Sequence, residues 1–198
     1  MKSILTRQMQ RKSKNSYFIS DTLSQKISET KNSQGVFAVC KMKNENISLK
    51  TDQKYIALDN LQDPGNLGTV IRTAEALGIS SVIVGGGCDV FNPKVLRASM
   101  GSVLRLDVFE CQSLAPVLQK AKSLGIKTYA TSPDSSAKKI NETQFPKSSL
   151  CVIGNEANGV SDEVMNICDE TVTIPMLGRA ESLNAHVAGA IVMWEMLR

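Results

Sequence analysis

The sequence has no apolar run approaching the ~20 residues that a membrane-spanning helix needs. Its basic opening, MKSILTRQMQRKSKNS, has no apolar core behind it and is therefore not a secretory signal. Cysteine is too scattered and histidine too scarce for a structural metal. Cys40, Cys88, Cys111, Cys151 and Cys168 are odd in number, no two form a CxxC, and His186 is the one histidine. With Cys40, Cys88 and Cys151 in or beside apolar, strand-like runs, the cysteines read as buried free thiols in a reducing cytoplasm. Nucleotide fingerprints are missing as well. Gly85-Gly86-Gly87 does not fit GxGxxG, and no GxxxxGKS or GxxxxGKT follows any strand.

What is present is ordinary globular composition, 42% hydrophobic and 21% charged over 198 residues, which excludes wholesale disorder. The net charge of +4 hides an asymmetry. Residues 1–54 carry 11 basic and 4 acidic side chains, a balance of +7, whereas residues 55–198 carry 12 and 15, a balance of −3. A basic segment attracts polyphosphate, although composition alone does not separate that role from a solvated tail.

From residue 54 onward the pattern is strand, helix, strand, helix. Strands are predicted at 55–59, 81–84, 102–109, 127–131, 150–154 and 171–174. Helices are predicted at 66–78, with Val70, Ile71, Ala74 and Leu77 on one stripe, and at 93–100, 113–124 and 182–197. In the last helix the stripe is Leu183, Val187, Ile191 and Trp194. This alternation predicts an α/β fold with a mostly parallel sheet and helices on both faces, and such sheets bind ligands beyond the carboxyl ends of their strands. Residues 1–50 read differently: a strand at Tyr17–Ile19, a helix at 21–30 and a strand at Val36–Cys40 are too few to bury a core, and residues 43–54 read as a polar linker.

Three segments fall where such a sheet would hold a ligand. The first, Asn60 to Arg72, follows a strand and opens a helix, with Asn66 as helix N-cap after an Asp-Pro-Gly turn. Arg72 falls off the apolar stripe. The second, Ile153-Gly154-Asn155-Glu156-Ala157-Asn158-Gly159, places a carboxylate in a tight turn. The third runs from Ile174-Pro175-Met176 to Glu181-Ser182-Leu183-Asn184, where Ser and Asn at a helix start present polar groups.

Taken in order, these segments resemble the SpoU (TrmH) family of RNA ribose 2′-O-methyltransferases, of the SPOUT class. Asn66 and Arg72 match a first motif, Gly154, Glu156 and Gly159 a Gly-x-Glu-x-x-Gly second motif, and residues 174–176 and 182–184 an Ile-Pro-Met and Ser-Leu-Asn third motif. The resemblance covers roughly residues 54–198. Residues 17–41, chiefly Gln34-Gly35-Val36, resemble the end of the small RNA-binding domain that often precedes the catalytic domain. The Gly-rich turn of Rossmann-type methyltransferases is absent, which agrees with a different cofactor route.

The resemblance implies a basic segment at 1–50, the remnant of an RNA-binding domain plus a linker, and a catalytic domain at 51–198 with a C-terminal trefoil knot. It implies transfer of a methyl group from S-adenosylmethionine to a ribose 2′-hydroxyl of rRNA or tRNA, by a cytoplasmic homodimer joined through its last helix, with no metal and no membrane. The implied catalytic residues are Asn66, Arg72, Glu156, Ser182 and Asn184. Arg72 would stabilise the developing alkoxide and grip a phosphate, Asn66 would hold the hydroxyl or Arg72, and Glu156 would orient Arg72. The cofactor would meet Thr131, Ile153, Gly154, Asn155, Ile174, Met176, Leu183 and Asn184. His186 stands where the family has Ser or Ala, and it reads as an ordinary helical residue rather than a wall of the cofactor pocket. Three other readings stay open at this point: a catalytically inactive RNA-binding protein on the same fold, a SPOUT methyltransferase acting on a base, and a small-molecule enzyme unrelated to RNA.

Overall fold

A computed structural model of the chain describes residues 17–28, 32–40 and 46–198. They belong to two units, Met1–Asn44 and Glu45–Arg198. In the first, helix α1 (Asp21–Ile27) starts at Ser20, whose hydroxyl accepts the N–H of Leu23, and it buries none of its residues. The expected strands at Tyr17–Ile19 and Val36–Cys40 do not form ladders, and Tyr17, Phe18 and Val39 are exposed. A strand needs a partner edge, and these short runs find none among the described residues. The basic residues before Tyr17 lie outside the described residues, as do the last two positions of the helix expected at 21–30.

The second unit is built on seven strands: β1 (Lys54–Asp59), β2 (Ser81–Gly85), β3 (Asp107–Cys111), β4 (Lys127–Thr131), β5 (Lys138–Lys139), β6 (Ser149–Ile153) and β7 (Glu170–Thr173). All pairings are parallel, in the order β3-β2-β1-β6-β4-β7-β5. Both faces are covered, so the central strands are near-continuous apolar runs. Ile56, Leu58, Val82, Val84, Cys151 and Ile153 enter one core, while Tyr55, Ala57, Ile83, Leu150 and Val152 enter the other, as the period of two requires. The first core is closed by α2 (Pro64–Leu77), α3 (Pro93–Ala98) and α6 (Ala185–Leu197). The second is closed by α4 (Ala115–Ser123) and α5 (Asp162–Ile167). Ile47 and Leu49, inside the stretch read as a linker, also pack into this second core.

Five sequence expectations are corrected. Residues 102–104 form a 3₁₀ turn rather than the start of a strand, because Glu75 of α2 accepts hydrogen bonds from Ser102 Oγ and from Arg105 Nε, both at 3.1 Å. Asn66 is not the N-cap of α2. Asp63 is, with Pro64 in the first turn, where its missing N–H costs nothing. The last helix begins at Ala185 rather than Ser182, and Asn184 caps it. Its buried face is Ala185, Gly189, Val192, Met193 and Met196, leaving Val187 and Trp194 exposed. The helix is apolar nearly all round, so periodicity could not choose the face. Gly189 lies on the buried face at a close approach, where a Cβ would come 3.0 Å from Ile153 Cδ1. Of the thiols expected to be buried, only Cys151 is, with Cys88 half-buried and Cys40 exposed.

At the far end of α6, the Lys54 ammonium donates to the carbonyl of Met196. No helix among the described residues is long and apolar enough to cross a membrane.

Candidate active site

β1 and β6 are neighbours whose following segments leave the sheet on different courses, one into α2 and the other into a tight turn. This is the crevice where parallel sheets bind ligands. After β1, Asn60 takes φ 55°, a left-handed conformation that Asn tolerates. Asp63 Oδ1 then accepts the N–H of Asn66 at 2.8 Å. The cap fixes the rotation of α2 so that the Asn66 side chain points inward, 8% exposed.

The turn after β6 is shaped by backbone demands. Asn155 and Gly159 exchange two N–H···O bonds of 2.9 Å. Asn155 Oδ1 accepts the N–H groups of Ala157 and Asn158, and its Nδ2 donates to the carbonyl of Asn60 at 2.8 Å. A Cβ at Gly154 would lie 2.0 Å from the Gly159 carbonyl carbon, and Gly159 has φ +68°. Both glycines of the Gly-x-Glu-x-x-Gly stretch therefore serve the turn. What the turn presents is Glu156. Its carboxylate accepts from Asn66 Nδ2 at 2.8 Å and from the N–H groups of Gln62 and Asp63 at 3.3 Å. Burial pushes the Glu156 carboxyl up, but these hydrogen bonds more than offset it and hold the group below the usual carboxylate range.

The other end of the Asn66 amide meets His186, with Nδ1 2.9 Å from Asn66 Oδ1. His186 sits in the first turn of α6, its N–H donating to Asn184 Oδ1 at 2.9 Å. Glu156, Asn66 and His186 thus form one chain across three elements. The expectation of an ordinary helical histidine is corrected. The residue's signal in the sequence was its departure from the family pattern beside the Ser-Leu-Asn stretch.

Arg72 lies less than two turns along α2, about 9 Å from Asn66 along the axis. It is exposed, and no hydrogen bond or ion pair joins it to Glu156 or Asn66 among the described residues. Glu156 therefore orients Asn66, not Arg72. The physical reason is reach: the turn holds the carboxylate over the N-terminus of α2, where N–H groups and the Asn66 amide saturate it.

The ends of β6, β4 and β7 lie side by side, with Leu58↔Ile153, Ala130↔Val152 and Thr131↔Val172 in register. Thr131, Gly154 and Ile174 consequently share one edge. Thr131 Oγ1 donates to the Val152 carbonyl at 3.0 Å. Asn155 spends both its backbone N–H and its carbonyl within its own turn, on Gly159. Ile174, Met176 and Leu183 are half-buried, whereas Ser182 and Asn184 are exposed. Asn184 Oδ1 is engaged as the cap of α6.

Residues 53–194 match the model of the SpoU rRNA methylase family. The chain belongs to that family. Its SpoU relatives include the 23S rRNA (guanosine(2553)-2′-O)-methyltransferase of Bacillus subtilis, 36% identical over 91% of this chain and 71% of the relative. Among solved structures, the SpoU methyltransferase AviRb of Streptomyces viridochromogenes in complex with AdoMet is 33% identical, with a TM-score of 0.68 over 75% of this chain and 61% of that one. An AdoMet-bound rRNA methyltransferase from Sinorhizobium meliloti is 32% identical, with a TM-score of 0.69 over 76% and 57%. The chain thus spans about three fifths of the length of these two solved chains.

Proposed function

We propose that this chain transfers the methyl group of S-adenosylmethionine to a ribose 2′-hydroxyl in RNA, either rRNA or tRNA. The observation that carries the reading is the bond between Asn66 and Glu156, which joins residues of two family motifs 90 positions apart in a sheet crevice. The cofactor fits the carboxyl edge of β6, β4 and β7 by the chemistry of the groups there. Main-chain groups of Ile153 and Gly154 and of Ile174–Met176 suit the polar rim of an adenine, and the side chains of Ile174, Met176 and Leu183 suit its faces. Thr131, Asn155 and Asn184 would border it through their polar side chains.

S-adenosylmethionine supplies an electrophilic methyl on a sulfonium that leaves as a neutral thioether, so no acid is needed at the leaving group. The residues therefore have to place and activate the hydroxyl, and orientation alone is worth ~7–11 kcal/mol. Asn66, locked by Glu156, would hold the hydroxyl. Arg72, exposed and without an ion-pair partner among the described residues, is available to grip a phosphate and stabilise the developing alkoxide. Ser182 and Asn184 would present hydroxyl and amide groups to the nucleotide from the start of α6.

The working unit is a homodimer through α6, supported by exposed Val187, Trp194 and Leu197 on that helix. Its C-terminal segment is knotted in the manner of SPOUT enzymes, and it acts in the cytoplasm without a metal. The basic N-terminal residues would add phosphate contacts, which position RNA without specifying its sequence.

The test is incubation of the purified chain with total RNA and labelled S-adenosylmethionine, followed by mapping of the labelled nucleotide. A 2′-O-methyl product is expected, and Arg72→Ala should reduce its formation by about 100-fold or more with S-adenosylhomocysteine affinity retained. A labelled base, or no label with correctly folded protein and cofactor bound, refutes the reading.

A further inference from the structure

We infer that His186 is a further catalytic residue, which takes the proton of the 2′-hydroxyl at its Nε2; this rests on the ribose-methylation reading above. The Glu156 carboxylate, ionised because its folded state favours the charged form, can only accept. The Asn66 amide must therefore turn its NH₂ to Glu156, at 2.8 Å, and its oxygen to His186, at 2.9 Å. An amide oxygen only accepts, so the ring carries its hydrogen on Nδ1. In the neutral ring this leaves the lone pair on Nε2. His186 is half-buried, and no group among the described residues meets Nε2.

Asn66 was implied as a holder of the substrate hydroxyl. Its second amide N–H can still donate to that oxygen, but its own oxygen is taken by His186, so the acceptor without a partner in this chain is the imidazole nitrogen one hydrogen bond further on. The arrangement has the logic of a base oriented by a third group, with an amide placed between carboxylate and ring. The charged groups on the surrounding elements are Glu156 on the turn after β6, Asp63 at the N-cap of α2, Arg72 and Glu75 on α2, Glu195 on α6, and Arg179 and Glu181 before α6. Among the described residues only Glu156 is connected to the ring by hydrogen bonds, through Asn66.

In the step, the hydroxyl proton passes to Nε2 while the 2′-oxygen forms its bond to the methyl carbon. The methyl–sulfur bond breaks with its electron pair remaining on sulfur. The imidazolium, its Nδ1–H held by Asn66, then releases the proton to water.

His186 is the single histidine of the sequence, so its ring can be read without assignment. Long-range ¹H–¹⁵N correlation of ¹⁵N-labelled protein should show the Nδ1–H tautomer, and Asn66→Ala should shift the ring toward Nε2–H. An Nε2–H ring in the wild-type protein overturns the proposal whatever the activity. In the methylation assay, His186→Asn keeps a donor where Nδ1 stood but has no titrating nitrogen. It should lower kcat about 100-fold with S-adenosylhomocysteine affinity unchanged, and it should remove the acid limb, of unit slope, from the pH profile of kcat/KM. A variant with kcat within twofold of wild type and the same profile overturns the base role and leaves ribose methylation standing. A protein with the Nδ1–H tautomer that methylates no RNA at all refutes ribose methylation, and the base role falls with it.

Discussion

The 154–160 turn and the 174–184 loop leave the same edge of the same sheet, and they are built in opposite ways. In the turn, Asn155 alone satisfies five hydrogen-bonding groups, counting its main chain, and Gly154 leaves no room for a methyl group. In the loop, residues 177–182 are all exposed, Leu177 fully so at 101%, and among the described residues no main-chain hydrogen bond is made by residues 174–183. The contrast teaches that the two halves of the site meet their ordering costs at different times. The turn and the Glu156–Asn66–His186 chain are tied by their own hydrogen bonds, whereas a loop with so few contacts is expected to be ordered by what binds to it.

The turn is most vulnerable at Gly154. Gly154→Ala forces a Cβ into the backbone of Gly159 and Val160, with no flexible side chain able to yield. A loss of about 4 kcal/mol is expected, or roughly 10 °C in Tm for a unit of this size, read by thermal unfolding. An unchanged Tm would show that the turn has slack and that its hydrogen bonds are not a constraint.

Asn66→Ala should come next. It removes the donor to Glu156 and the acceptor for His186 together, so methyl transfer should fall by at least about 100-fold, while stability falls by only about 1 kcal/mol. Equal losses at both levels would mean that Asn66 serves packing alone.

The loop should respond to ligand where the turn does not. Hydrogen exchange of residues 174–184 should slow on addition of S-adenosylhomocysteine, with residues 154–160 already protected and little changed. Leu177→Ser should alter unfolding stability by less than about 0.5 kcal/mol. Protection of the loop before any ligand is added would erase the difference between the two segments.

The smallest effect concerns pH. The Glu156 carboxyl is held below its usual range, so its contribution to stability is present above the unfolded value of about 4.3 and disappears as pH falls through the lower folded value. The group is exposed, so solvent screening limits the contribution to under about 1 kcal/mol. Glu156→Gln should remove that acid-side slope, measured as unfolding free energy between pH 6 and about 3. A steeper slope in the variant would reverse the assigned sign.

The fold was legible wherever burial imposed a period. Strands buried on both faces, such as Tyr55–Leu58 and Val82–Val84, read directly from the chain, and so did the stripe of α2. Legibility failed where a long-range polar contact overrode local preference. Nothing near residue 102 announces that Glu75, 27 positions earlier, turns the chain there. It also failed where a segment was apolar without direction, as in α6, whose composition does not single out the buried face. At the site, the motif residues Asn66 and Glu156 were identified, but their mutual bond was not, because spacing within a motif says nothing about distances between motifs. The same blindness hid His186. A histidine's meaning depends on what lies 2.9 Å from its ring, and that partner is 120 residues away.

Helix α6 is fastened at both ends to a single stretch of chain. Its first turn is tied through His186 to Asn66, and its last through the Met196 carbonyl to Lys54, only twelve residues earlier in β1. The helix is about 20 Å long, so it behaves as a beam resting on two supports that share one foundation. A load on the beam between them, as at the exposed Trp194, cannot be relieved by sliding or rolling without breaking one support.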